Sequence, residues 1–285
     1  MTRIRIVTDS SCDLPPALEA QHQITIVPLT IRFGSEEFVD RKDLTPKDFW
    51  RRCAAASVLP ETAAPSPGAF EEAFRSAAVA DGIEGIVCVT LSSGLSATFQ
   101  AAELAAKNFS AEPGIGIPVR VIDSRTLTMG LGNLCLSAAR IAEEGKGIDE
   151  VAAAVETRIP TTRTYAALDT LENLKKGGRI GGAQAMLGSM LSIKPIIDIT
   201  GGQVQQEAKQ RTRLKSLRYL ADKVREHPGI ENLAVMHGDA PDVDQMLDLL
   251  AEVYPRDQIV VGDLGAVIGA HGGPRTMGIT FQLPG

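Results

Sequence analysis

Gly85-Ile86-Val87-Cys88-Val89-Thr90 runs directly into Leu91-Ser92-Ser93-Gly94-Leu95-Ser96-Ala97-Thr98, and this junction sets a pattern that recurs along the chain. The apolar run is rich in β-formers, while Phe99 to Ala106 is rich in helix formers. The order is therefore strand, hydroxyl-rich loop, helix. A helix start leaves backbone N–H groups without partners and carries a partial positive charge. Four hydroxyls and Gly94 at such a place suit a carboxylate or a phosphate. The same residues also make an ordinary helix cap, and spacing alone does not separate the two readings.

Upstream, a strand over Ile4 to Thr8 ends in Asp9-Ser10-Ser11-Cys12-Asp13, a helix begins at Pro15-Pro16, and a strand covers Ile24 to Phe33. Thr45-Pro46-Lys47-Asp48 has the cap, proline and acid of a helix start. Ser66 caps a helix from Ala69 to Val79, after the proline-punctuated loop Thr62 to Gly68. Downstream, a strand at Pro118 to Ile122 ends in Asp123-Ser124-Arg125 and leads into helices over Leu127 to Glu143 and Ile148 to Ile159. Such alternation predicts a parallel sheet with helices on its faces and ligands at the C-terminal ends of its strands. The polar turns after Thr8, Thr90 and Ile122 all fall there.

The pattern changes near Pro160. A boundary between Ile159 and Arg163 divides the α/β chain into an N-terminal parallel-sheet domain (1–160) and a C-terminal mixed-sheet domain (161–285). The second half carries strands at Thr164 to Leu168, Lys194 to Thr200, Asn232 to His237, Gln258 to Gly262 and Gly278 to Phe281. Helices cover Thr212 to Arg225 and Pro241 to Val253, and Gly201-Gly202 makes a turn. Leu174-Lys175-Lys176-Gly177-Gly178-Arg179-Ile180-Gly181-Gly182, ahead of an apolar helix from Ala183 to Leu191, is either a solvated loop or a basic surface for a phosphate or an acidic partner.

Composition narrows the function classes. In 285 residues the net charge is −6 and aromatics make up 4%, with no basic run, which argues against nucleic acid. Cys12, Cys53, Cys88 and Cys135 form no CxxC pair for zinc or redox work. No signal core or membrane-length apolar run occurs, so a cytoplasmic protein is expected. Gly145-Lys146-Gly147 lacks the rest of a P-loop, and Gly130-Leu131-Gly132 is followed by Cys135 where a dinucleotide fingerprint needs glycine. His271 lies in the glycine-rich stretch Gly265 to Pro274, read as a loop from which an imidazole can face a ligand. One such histidine among hydroxyls suits binding better than nucleophilic catalysis.

Taken in order, Ile6 to Ser11, Val27-Pro28-Leu29, Thr62 to Gly68, Leu91 to Thr98, Val121 to Ser124, Leu174 to Ile180, Ile193 to Ile196 and His271-Gly272-Gly273-Pro274 resemble the DegV family of bacterial fatty-acid-binding proteins. That family includes the binding subunit of fatty acid kinase. The resemblance implies a buried tunnel for one fatty acid, whose carboxyl is held between the two domains, with no cofactor and no metal. It places Thr62, Ser93 and His271 at the carboxyl, with Gly94, Ser96 and the helix start beside them. Met186, Leu187, Met190 and Leu191 share a helical face and would serve as tunnel wall or as ordinary core. A separate ATP-binding kinase subunit would phosphorylate the carboxyl, leaving this chain as non-catalytic carrier of the acyl phosphate. Brief membrane contact would accompany lipid exchange. Arg179 matches an arginine of the kinase encounter, and Arg275 would join it in a basic rim. Ala63-Ala64, Ala97 and Arg275 depart from the Ser-Gln, Gly and Gly usual in the family. Two other readings stay open: a lipid-responsive regulatory protein, and a stand-alone hydrolase or phosphotransferase.

Overall fold

Every residue from Gly85 to Thr90 is buried, as a strand covered on both faces requires. In the computed structural model, which describes residues 3–79, 82–112, 116–187 and 193–284, that strand is the sixth. The first half contains β1 (Ile4–Asp9), α1 (Pro16–Gln21), β2 (Thr25–Val27), β3 (Thr30–Phe33), β4 (Glu36–Val39), α2 (Pro46–Ala55) and β5 (Glu61–Ala63). It continues through α3 (Pro67–Ala78), β6 (Gly85–Thr90), α4 (Thr98–Ser110), β7 (Val119–Asp123), α5 (Thr128–Glu143) and α6 (Ile148–Arg158). The second half contains β8 (Thr162–Ala167), α7 (Glu172–Lys176), β9 (Lys194–Asp198), β10 (Gln205–Gln210) and α8 (Arg213–Arg225). β11 (Glu231–His237), α9 (Val243–Ala251), β12 (Val260–Asp263), α10 (Ala266–Gly272) and β13 (Met277–Gln282) follow.

The strands β2-β1-β6-β7 form a wholly parallel sheet. One face packs α3 and α4 through Phe70, Phe74 and Phe109, and the other packs α5 and α6 through Leu131, Leu134 and Val151. Burial of each such side chain contributes about 1.5–3 kcal/mol. A six-stranded mixed sheet, β10-β9-β8-β13-β11-β12, holds every strand after Arg158, and β4-β3-β5 form a small antiparallel sheet. The foreseen boundary falls on a 3-10 turn, Ile159–Thr161. The apolar cluster under α5 nevertheless draws Ala234, Met236, Leu264 and Val267 from beyond that turn.

Several elements differ from the sequence reading. The strand expected over Ile24 to Phe33 is two strands in two sheets, because Pro28 has no N–H to donate and the Leu29 N–H bonds to Ser10 Oγ at 3.1 Å. β10 was not foreseen; its Gln-Gln-Glu-Ala-Lys-Gln sequence is that of a polar edge strand. The stretch around His271 is not a loop but helix α10. Its Gly269 lies against Phe49 and Trp50, where a Cβ would come within 2.7 Å of the Phe49 ring, so that glycine is needed for contact. In the described part of the helix expected from Ala183 to Leu191 there is a 3-10 helix over Gly181–Met186; Met190 and Leu191 lie outside the described residues. No described helix is long and apolar enough to cross a membrane.

Candidate functional site

A cavity lies between the six-stranded sheet and the first half of the chain. Its floor is Thr164 and Ala166 of β8, Leu168 just beyond that strand, Ile197 of β9, and Gly278 and Thr280 of β13; residues of α10, Leu29, Leu91, Leu95 and Leu127 are among those that line the rest. The empty space is about 1060 Å³ with its open mouth included, and water-molecule centres have about 180 Å³ to occupy. A largely apolar enclosure with a few convergent polar groups is the form small-molecule sites take.

The polar groups gather at one place. Thr62, held by the pairing of β5 with Ile31 of β3, puts its Oγ1 2.9 Å from His271 Nε2 on α10. His271 Nδ1 is buried without a hydrogen-bond partner, pressed against Gly177, where a Cβ would sit 2.4 Å away. Burial, and secondarily the Arg179 charge, lower the His271 pKa to about 4, so the ring is neutral at pH 7. An orphaned lone pair is less costly than an orphaned N–H, which puts the ring proton on Nε2 and makes Thr62 its acceptor. The Thr62 hydroxyl proton is then free for a ligand. Arg179 lines the same cavity, its Nε donating to Leu95 O at 3.2 Å and its Nη1 to Gly177 O at 2.7 Å. No carboxylate among the described residues pairs with it. Thr62, Arg179 and His271 also line a second, more open groove with Lys176, Val58 and Leu59, so they stand where the cavity meets the outside.

The hydroxyl loop has a more divided role. Ser96 lines the cavity, accepts from the Thr98 N–H at 3.3 Å and lies 2.8 Å from Thr98 Oγ1, at the start of α4. Ser93 turns away from the cavity: its N–H and Oγ both donate to Asp123, at 3.1 and 2.5 Å. Gly94 does not line the cavity either. It faces Gly202 O, to which Ser92 Oγ also donates at 2.6 Å, so the loop is fastened to the second half of the chain. Asp9 holds the loop's other end by accepting the Leu91 N–H at 2.7 Å. Asp9 and Asp123 were not named as site residues. Each ends a parallel strand ahead of a hydroxyl, which is the signal that marks them in the sequence.

The remaining candidates are elsewhere. Met186 is buried in a cluster with Ala166 and Ile197 but does not line the cavity, and Leu187 is 38% exposed. Arg275 points away, with Nε 3.5 Å from Asp169 Oδ2 and a left-handed φ of 61°. No metal-binding cluster occurs among the described residues.

This arrangement of sheets is shared by known proteins. A family model described as "Uncharacterised protein, DegV family" matches residues 3–283. A DegV domain-containing protein of Streptomyces coelicolor is 36% identical over 283 residues, covering 98% of each chain. The structure of a DegV family protein from Thermus thermophilus, described with its fatty acid binding, superposes with a TM-score of 0.88 at 32% identity over 100% of both chains. DegV of Bacillus subtilis, described as a fatty acid binding protein, gives 0.85 at 27% identity, again over 100% of both chains. With a match running from β1 through β13, this chain belongs to the DegV family.

Proposed function

We propose that this chain holds one long-chain fatty acid, with its tail in the apolar cavity and its carboxylate at the mouth, and presents that carboxyl to a separate ATP-dependent kinase subunit. The observation that carries the reading is a largely apolar cavity with a cation and a His–Thr pair at its opening. Tail burial supplies about 0.8 kcal/mol per methylene. Leaving water is costly for a carboxylate. Charge-assisted hydrogen bonds from Arg179 and the Thr62 hydroxyl, about 1.5–3 kcal/mol each, offset that cost. Ser96 stands beside them, and Ser93, with Gly94 behind it, reaches the carboxyl only by giving up Asp123. The open groove shared by Thr62, Arg179 and His271 is where the kinase would meet the head group, and the chain would leave with the acyl phosphate. Relatives described as fatty-acid-binding support the first half of this reading.

The test is native mass spectrometry of protein purified from bacteria. The expected result is one fatty acid per chain, removed by solvent extraction and restored by palmitate. Protein that carries no acid and takes up none overturns the reading. Loaded protein given a fatty acid kinase subunit and ATP should yield acyl phosphate; none formed overturns the kinase half alone.

A further inference from the structure

A second concavity shares no lining residue with the cavity described above, although its Pro28 and Gly265 adjoin Leu29 and Leu264 of that cavity in the chain. It is a groove between the free edges of two sheets. Ile26 belongs to β2, the last strand of the parallel sheet, and Val261 to Asp263 belong to β12, the last strand of the six-stranded one. Pro15, Pro16 and Pro46 add apolar wall, and water-molecule centres have about 650 Å³ to occupy. Four carboxylates, Asp13, Glu19, Asp40 and Asp263, line it against two cations, Arg41 and Lys42.

Three carboxylates are buried together at its floor, Asp9, Asp13 and Asp40, and their oxygens can be accounted for one by one. Asp9 accepts the Ser11 N–H at 3.0 Å on one oxygen and the Leu91 N–H at 2.7 Å on the other. Asp13 accepts the Gly265 N–H and the Thr128 hydroxyl in the same divided way. Asp40 has the Ser10 hydroxyl and the Arg41 N–H beside it, yet its Oδ2 has no hydrogen-bond partner, in a residue only 2% exposed. The Arg41 guanidinium does not serve it. Its Nη2 donates to Leu14 O at 3.1 Å and to Glu19 at 2.7 Å. Burial pushes the Asp40 pKa up to about 6 and that of Asp13 up to about 7, as expected of a buried cluster short of positive charge. A buried carboxylate oxygen without a donor is costly, so Asp40 Oδ2 calls for a partner from outside the chain.

The geometry limits what that partner can be. Calcium and magnesium take about six or more oxygen ligands, and one free oxygen is too few. No metal-binding cluster occurs among the described residues. A guanidinium pairs best with both oxygens of a carboxylate, and only one is free here. An ammonium is a point charge with rotatable donors and needs only one. The proline, isoleucine and valine walls suit methylene groups behind it.

We propose that this groove binds a small organic cation, a primary ammonium on an apolar stem, with its charge on Asp40 Oδ2 and its stem between β2 and β12. The site is independent of the fatty-acid reading. The test is titration calorimetry of the full chain at pH 7 with n-butylammonium, ammonium and n-butanol, on the parent, Asp40→Asn and Val261→Lys, with melting curves to establish folding. Asp40→Asn removes the charge, and Val261→Lys, at an exposed point of the wall, gives the groove a cation of its own. One n-butylammonium should bind per parent chain, and ammonium, without the stem, and n-butanol, without the charge, should each bind about tenfold or more weakly. Each folded variant should lose about tenfold or more in affinity for n-butylammonium. Near pH 6 the binding should release protons, read as heats that differ between buffers of unlike ionisation enthalpy, because a cation beside Asp40 draws its pKa down. Should Asp40→Asn fail to fold, Val261→Lys decides. No saturable binding by the parent overturns the site and leaves Asp40 Oδ2 to a bound water. Binding of n-butanol as tight as that of n-butylammonium, parent-like affinity in a folded variant, or heats that do not change with buffer overturn it as well.

Discussion

His271 has one buried nitrogen with nothing to bond to, and that fixes how its other nitrogen treats Thr62. If the imidazole donates and the Thr62 hydroxyl passes a proton on to the ligand, then Thr62→Val, which keeps the volume, removes one donor to a buried acid. Fatty acid affinity should fall by about 1–3 kcal/mol with the melting temperature nearly unchanged; titration calorimetry showing parent-like affinity would place the head group elsewhere. Arg275 is the opposite case. Its backbone sits at a φ of 61°, where glycine is free of strain, and its side chain leans on Asp169. Arg275→Gly relieves the strain and loosens the unfolded chain, so stability should move by less than about 1 kcal/mol. Its fatty acid affinity should match the parent; a tenfold loss would make Arg275 a ligand. Side-chain type was readable in the sequence: Thr62, Ser96 and His271 line one cavity. Direction was not. Ser93 looks like any hydroxyl of its loop, and only the fold brings Asp123, thirty residues on, close enough to capture it.

Elements whose start is local were visible in advance. Thr45, Ser66 and Thr212 each accept an N–H from three residues on, as caps do; Thr45 and Ser66 were read as caps from neighbouring residues alone, and Thr212 as the first residue of its helix. α10 escaped because a seven-residue helix with glycines has little propensity and is held by α2 instead. α5 shows how a helix start is pinned from a distance. Asp13 accepts from Thr128 Oγ1 at 2.7 Å and from the Gly265 N–H at 3.0 Å, tying the end of the first strand–turn to α5 and α10. Burial, with the nearby Asp40 charge adding to it, pushes the Asp13 pKa up to about 7. The folded chain thus keeps a proton that the unfolded chain has already lost, and stability declines as pH rises from the ordinary carboxyl range through about 7. Asn at this left-handed position can accept from Gly265 and donate to Thr128 without a charge. Asp13→Asn should therefore raise the melting temperature by about 2–4 °C near pH 8, the gain shrinking near pH 5. An equal or absent gain at both pH values would show that Asp13 is not the group concerned.

For the molecule as a whole, β/α alternation was enough to read one parallel sheet followed by a mixed one, since periodicity is a property of neighbours. The joint between them came only from the family resemblance and not from periodicity, because it is made by pairs such as Thr62 and His271, 209 residues apart. With a net charge of −6, the chain nonetheless keeps Arg179 at the cavity mouth without a carboxylate partner among the described residues, while Lys176 in the adjoining groove pairs with Glu172 at 2.8 Å. Last, β13 lies in the middle of its sheet, between β8 and β11, yet in chain order it is the last of the thirteen described strands. Until it emerges from the ribosome, β8 and β11 present two bare edges facing an empty slot, and nothing joins β10-β9-β8 to β11-β12 within the sheet. The nascent chain can complete its parallel sheet early, but the cavity floored by β8 and β13 can close only once β13 has been made and has slotted between β8 and β11.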